Sequence, residues 1–223
     1  ILEVRKHLEQ LFKCLPEQMI FQNIEFGINS TPSFDPQQFI KGLLYQNGKK
    51  FEYRYNEHFA QAVHQRYFLK IYNKSNQYSM NEHTLRVELK IIKTEDIKHL
   101  SIKTFRDINT INLEKAKELL LKRFDEVVYY DNTINAKQLN VRQKRSLERY
   151  SNPRYWIGGL KPKRRNYHKE ILKGFIDSYS KQLKNQITNN INQKFGIINR
   201  LSETPKFGII NRLSETPKFG IIN

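Results

Sequence analysis

The segment Thr84-Leu-Arg-Val-Glu-Leu-Lys-Ile-Ile92 alternates without a break: Leu85, Val87, Leu89 and Ile91 fall on one side, Arg86, Glu88 and Lys90 on the other. A period of two is the signature of a β-strand with one buried and one wet face. Such a strand cannot stand alone, so the chain must supply partners. Ile24, Phe26 and Ile28 alternate with Glu25, Gly27 and Asn29 in the same way, and Lys50–Tyr55 and Tyr67–Asn73 read as two further strands. The connections fall short of the dozen or so residues that a parallel crossover needs, so the strands are expected to pair antiparallel.

Helical patterns surround this set. Residues 2–13 place Leu8, Leu11 and Phe12 on one face before Pro16. Asp35 and Pro36 are suited to N-cap and first-turn positions of a helix running to about Tyr45, and Asn47-Gly48 reads as a turn. After short helical segments near 94–100 and 104–109, a long helix is expected from Asn112, as N-cap, to Tyr129. Further helices are expected over 135–150 and 167–187, with Ser151–Gly159 a loop broken by Pro153 and paired glycines. The fold class is α+β: an antiparallel sheet of about four strands flanked by helices, followed by a basic helical region. The expected domains are 1–134, 135–187 and a tail from 188 to 223. In that tail Lys194–Pro205 recurs identically as 206–217 and begins a third time at Lys218. Identical units this short do not resemble a solenoid, whose repeats are longer and diverge. The tail is expected to be poorly ordered.

Charge divides the chain. Lys and Arg number 39 against 22 Asp and Glu, a net of +17, yet residues 1–136 are nearly balanced at 20 to 17 while 137–223 carry 19 to 5. A surplus so concentrated suits a polyanion. The longest apolar runs, such as Leu119–Leu121, are far too short to cross a bilayer. The lone Cys14 forms no internal disulfide, so a reducing, cytoplasmic setting fits, and the start at Ile1 suggests a fragment of a longer chain. Neither glycine-rich phosphate-loop pattern occurs, and the six histidines form no His-x-His pair, which argues against nucleotide hydrolysis and zinc chemistry.

The remaining polar residues lie on neighbouring strands: Glu25, Glu52, Tyr53, Tyr55, Tyr72, Lys74, Arg86 and Glu88. If the strands pair, several converge on one sheet face, where carboxylates could hold Mg²⁺ or Mn²⁺ and cations could meet phosphate. An ordinary solvated strand face would look the same. Lys70-Ile-Tyr-Asn-Lys74, followed by Leu85-Arg-Val-Glu-Leu89, resembles the Y-x-K and R-x-E strand pair of rolling-circle replication initiators, of the plasmid and the filamentous-phage gene II types. Ile24–Asn29 and Ile102–Ile108 are similar to segments of the same proteins, and the likeness covers about residues 20–130.

The resemblance implies a DNA-nicking enzyme in which a tyrosine hydroxyl attacks the scissile phosphodiester with the help of a divalent metal. It places Tyr53 or Tyr55 as nucleophile, Glu88 at the metal, Lys74 at phosphate, and Arg86 at phosphate or in a salt bridge that orients Glu88, with Glu52 of the same sheet face as a second metal candidate. Arg86 and Glu88 bracing adjacent strands is the alternative, and the Gly-Ser that follows the nucleophile in plasmid initiators and the family's metal-binding histidines are missing here. Outside the likeness, Arg142, Lys144, Arg145, Arg149, Arg154, Lys161, Lys163, Arg164 and Arg165 form the densest basic stretch, and Tyr155 and Trp156 interrupt it. The cations would neutralise DNA phosphates and the rings could stack on unpaired bases, with a core anchor the preferred role for Trp156. The expected partner is DNA, as single strand or origin duplex, without a membrane; a homodimer is left open. The alternative to nicking is a non-catalytic nucleic-acid-binding module.

Overall fold

A computed structural model describes residues 2–203. In chain order the elements are α1 (Leu2–Phe12), β1 (Ile24–Ser30), α2 (Pro36–Ile40), β2 (Leu43–Gln46), β3 (Lys49–Lys50), β4 (Glu52–Arg54), β5 (Phe59–Val63), β6 (Tyr67–Asn73), α3 (Lys74–Gln77) and β7 (Leu85–Ile91). They continue with α4 (Thr110–Asp125), β8 (Val127–Tyr129), α5 (Val141–Ser151), α6 (Pro153–Ile157), α7 (Pro162–Tyr179) and α8 (Leu183–Glu203), with 3-10 turns at Thr94–Leu100, Phe105–Asp107 and Ala136–Gln138. The class is α+β. No helix among the described residues is long and apolar enough to cross a membrane.

All pairings are antiparallel. The main sheet has five strands in the order β1-β7-β6-β5-β4, and β7 pairs Val87 with Ile28 on one side and with Ile71 on the other. Its alternating apolar residues, with Leu69 and Ile71, form one buried face. That face is covered by Phe39 and Ile40 of α2, Leu120 and Phe124 of α4, and Leu183, Ile187 and Ile191 of α8. The second sheet, β3-β2-β8, lies between this core and another. Leu43, Val127 and Tyr129 belong to the first core, whereas Leu44, Tyr45 and Val128 pack with Leu147, Tyr150, Trp156, Leu172 and Phe175. A register irregularity between Leu43 and Tyr45 lets the neighbours Leu44 and Tyr45 join the same cluster.

Several expected elements are revised. The helix opened by Asp35 and Pro36 stops at Ile40, and Leu43–Gln46 is a strand. Gly42 makes this switch: a Cβ there would lie 2.2 Å from the Tyr130 carbonyl oxygen. Asn47 and Gly48, both at positive φ, form the β2–β3 hairpin turn. The expected strand 50–55 divides at buried Phe51 between the two sheets. The cap of α4 is Asn109, whose side chain accepts from the Asn112 N–H, while the Asn112 amide donates to the Ser101 and Asp107 carbonyls. Asn140 and Gln143 cap each other at the start of α5, so the helix expected from 135 begins at 141.

The loop expected over 151–159 contains α6, and the helix expected over 167–187 is two helices. Buried Asp131 holds the joint between them, accepting from the Leu183 N–H at 2.9 Å and the Ser180 hydroxyl at 3.2 Å. The boundary expected at 188 falls inside α8, which is helical to Glu203 and seats Ile191 in the core. The rest of the repeated tail lies outside the described residues.

Candidate functional site

The outward face of the main sheet is a set of cross-strand pairs. Register places Glu52 opposite Gln61, Gln61 opposite Lys70, Lys70 opposite Glu88 and Glu88 opposite Gly27. Glu88 is the hub: it accepts from Arg86 Nε at 2.7 Å, Lys70 Nζ at 3.0 Å and the Tyr72 hydroxyl at 3.3 Å. Lys70 also donates to Glu25, and Arg86 to the Asn29 side-chain oxygen at 3.2 Å. Gly27 leaves the space this requires, since a Cβ there would stand 2.9 Å from the Glu88 Cβ. Burial alone would raise the Glu88 carboxyl, but the hydrogen bonds from Arg86 and Lys70 outweigh it and hold it at about 2. Burial and the Glu88 carboxylate push the Tyr72 phenol up to about 12.

Beside this hub lies a cleft of about 530 Å³, lined by Tyr55, His58, Phe59, Lys70, Tyr72, Asn73, Asn76, Gln77 and Glu88. Its rim is an unusual turn in which Tyr55, Asn56 and Glu57 take φ of 52°, 51° and 63° in succession. Three left-handed residues in a row, none of them glycine, are held from outside. The Asn56 carbonyl accepts from the Gln37 amide at 2.8 Å, and Glu57 faces Lys41 at 3.9 Å. The turn presents Tyr55, 75% exposed, edge-on to Phe59 at 6.1 Å, and Phe59 lies 5.8 Å from Tyr72.

The two candidate nucleophiles part here. Tyr53 pairs with Ala60, so its side chain is on the sheet face opposite Glu88, where its hydroxyl donates to the Leu43 carbonyl. Burial, and secondarily Glu57, raise its pKa far above the ordinary phenol value, which corrects its expected place beside Glu88. Tyr55 shares the cleft with Glu88. Glu52, on β4, is separated from Glu88 by two intervening strands, held by Gln61 at 3.0 Å and near Arg54 at 3.8 Å. Lys74 opens α3 with its ammonium over the Tyr78 ring, and Lys70 occupies the position beside Glu88.

The donor set does not suit Mg²⁺ or Mn²⁺. The Glu88 oxygens are taken by two cations and a phenol, and among the described residues no three His, Cys, Asp or Glu side chains cluster as ligands.

The second candidate surface belongs to α5, α6 and the start of α7. Arg142, Lys144, Arg145, Arg149, Arg154, Lys161, Lys163 and Arg164 are exposed there, and among the described residues none has an ion-pair partner. Arg165 differs: its guanidinium donates to the Leu160 carbonyl and lies over the Tyr45 ring, anchoring α7 to β2. Trp156 is fully buried and its indole N–H donates to the Tyr150 carbonyl at 2.8 Å, so it is a core anchor with no face to offer a base. Tyr155 packs between Trp156 and His168, with the Arg149 guanidinium 5.9 Å from its ring centre. Buried His168 meets the Tyr150 hydroxyl at 2.7 Å and Arg164 Nε at 3.4 Å; burial, then Arg164 and Arg149, lower its pKa. Arg145, Glu148, Arg149, Asn152, Arg154 and Tyr155 line a shallow concavity of about 500 Å³.

Comparison of the chain with protein-family models, with curated proteins and with solved structures finds no match.

The sequence reading missed Lys70, Asn29, His58, Phe59, Asn76 and Gln77. Lys70 had a usable signal, since it shares strand parity with the polar face, whereas Phe59 belongs to β5, a fifth strand that the sequence pattern did not announce. Asn76 and Gln77 reach the cleft through the short helix α3, which no periodicity announced.

Proposed function

We propose that this chain binds nucleic acid, with the cationic surface of α5, α6 and the start of α7 tracking the phosphate backbone of DNA. The observation that carries this reading is the group of eight exposed Lys and Arg side chains without ion pairs, supplied by consecutive elements. Like charges are costly to gather unless a polyanion spreads among them and releases its counterions. The main-sheet face differs, because there Lys70 and Arg86 are paired with Glu25 and Glu88. Fluorescence anisotropy with labelled DNA across a salt series tests the reading. The paired substitution Arg149→Gln and Arg164→Gln is expected to weaken binding and to lower the slope of log affinity against log salt by about 2. An unchanged slope would refute it.

A second reading, of DNA nicking as in rolling-circle initiators, is favoured by one observation: Tyr55 is exposed at the mouth of the cleft that holds Glu88, Lys70 and Tyr72. Attack by the Tyr55 oxygen on phosphorus would form the phosphotyrosine bond as the bond to the 3′ oxygen breaks, the phenol giving up its proton to water and the leaving oxygen taking one up to become the free 3′-OH. Conversion of supercoiled origin plasmid to nicked circles, lost in Tyr55→Phe, is the expected result. Nicking that persists in that variant would reject the role of Tyr55.

A further inference from the structure

We infer that the cleft beneath Tyr55 is a seat for one unpaired nucleobase of a DNA single strand. The inference rests on the nucleic-acid reading above and deepens it by assigning the phosphates and the base to separate surfaces. Three features point to a flat, uncharged, hydrogen-bonding ring as the occupant. The first is the run of rings from Tyr55 through Phe59 to Tyr72, with centres 6.1 and 5.8 Å apart and Tyr55 largely open to solvent. An exposed ring beside an open cleft is a stacking platform, and base-on-ring stacking tolerates any base because each has a π-face.

The second is the polar lining. The side-chain amides of Asn76 and Gln77 border the cleft with no hydrogen-bond partner among the described residues. His58 Nδ1 meets the Asn73 amide at 3.2 Å; when it accepts there, the neutral ring has its hydrogen on Nε2 as a donor. Donors and acceptors of this kind match the edge of a base.

The third is charge. Lys70 and Glu88 line the cleft and Glu25 and Arg86 pair with them from behind, two cations against two carboxylates, so the network is locally neutral. The unpaired cations of α5 to α7 are where phosphate is attracted. The left-handed run at Tyr55–Glu57 fits the same purpose: its strain is maintained by contacts to α2, and its outcome is the placement of one exposed ring over the cleft. A base within a duplex is stacked on both sides, so only an unpaired base can enter.

The test compares binding of the whole chain to a thymidylate single strand of about 12 nucleotides and to an abasic strand of equal length, which keeps every phosphate. The abasic strand is expected to bind about 5- to 100-fold more weakly. Tyr55→Ala should weaken the thymidylate strand by a similar factor and leave the abasic strand unchanged, while Tyr55→Phe, which keeps the ring, should bind as the parent does. Equal affinity for the two strands would overturn the base seat and leave the helical phosphate surface standing, as would a Tyr55→Ala loss shared by both strands. Titration of the unsubstituted protein with thymidine monophosphate separates the two claims further. Shifts of the Tyr55 and Tyr72 ring resonances support the seat even if neither strand binds, which is the result that would reject the phosphate surface. Absence of those shifts overturns the seat.

Discussion

Replacing Glu88 with Gln should remove a pH-dependent part of the stability of this protein. The Glu88 carboxylate is nearly buried, with 9% of the side chain exposed, and accepts from Arg86, Lys70 and Tyr72. Its carboxyl is held at about 2 against an ordinary value of 4.5. Lowering from 4.5 to about 2 corresponds to about 3 kcal/mol favouring the folded state. Because the folded value is the depressed one, this contribution is complete above about pH 4.5 and disappears as the pH falls towards 2. The variant keeps the shape of the side chain, and its neighbours are not stranded: Lys70 retains Glu25 and Arg86 retains Asn29. The expected cost is therefore about 2 to 3 kcal/mol at neutral pH, below the penalty for leaving a buried charge bare. Urea unfolding followed by far-ultraviolet circular dichroism at neutral pH, near pH 4.5 and near pH 2.5 measures it. The gap between parent and variant should be widest at neutral pH and close at the acid end. An equal gap at all three would mean that packing, and not the ion network, explains the loss.

Other positions give simpler outcomes. Gly42→Ala brings a Cβ within 2.2 Å of the Tyr130 carbonyl and 2.4 Å of the Tyr129 ring, so a loss of about 3 kcal/mol is expected in thermal unfolding. Tyr53→Phe leaves the Leu43 carbonyl without its donor, costs about 1 kcal/mol and leaves DNA affinity unchanged. Trp156→Ala empties a fully buried site and should cost about 3 to 5 kcal/mol, whereas Trp156→Phe should leave the salt slope of DNA binding as it was.

The main sheet was legible because its signal is local: β7 and β1 alternate in plain sequence, and the short connections left only antiparallel pairing. What escaped depended on distant partners. Tyr53 and Tyr55 share a strand parity in the sequence, and on an unbroken strand they would point the same way. The left-handed turn beginning at Tyr55 ends β4 at Arg54 and sends the two rings to different faces. Asn109 and Asn112 are equally good caps by composition, and the choice was made by the Ser101 and Asp107 carbonyls that hold Asn112. In α8, Leu183, Ile187 and Ile191 follow helical spacing, but only the first two fall within the helix expected to end at 187, because the identical repeats that begin at Lys194 mark 188 onward as tail. The unpaired cations of α5 to α7 were visible as composition, while the separation of Arg165 and Trp156 from that surface required the second core.

The position of α8 also bears on how the sheet is made. Asn190 donates to the hydroxyl of Ser30 and to the Thr31 carbonyl, contacts that span 160 and 159 residues of sequence, and Leu183, Ile187 and Ile191 complete a core begun by β1. Contacts this distant in sequence are slow to form. During synthesis the part of the apolar face that α8 covers therefore remains open until the ribosome has released that helix, even with α2 and α4 in place, and this interval is when the nascent chain is most open to aggregation or to a chaperone.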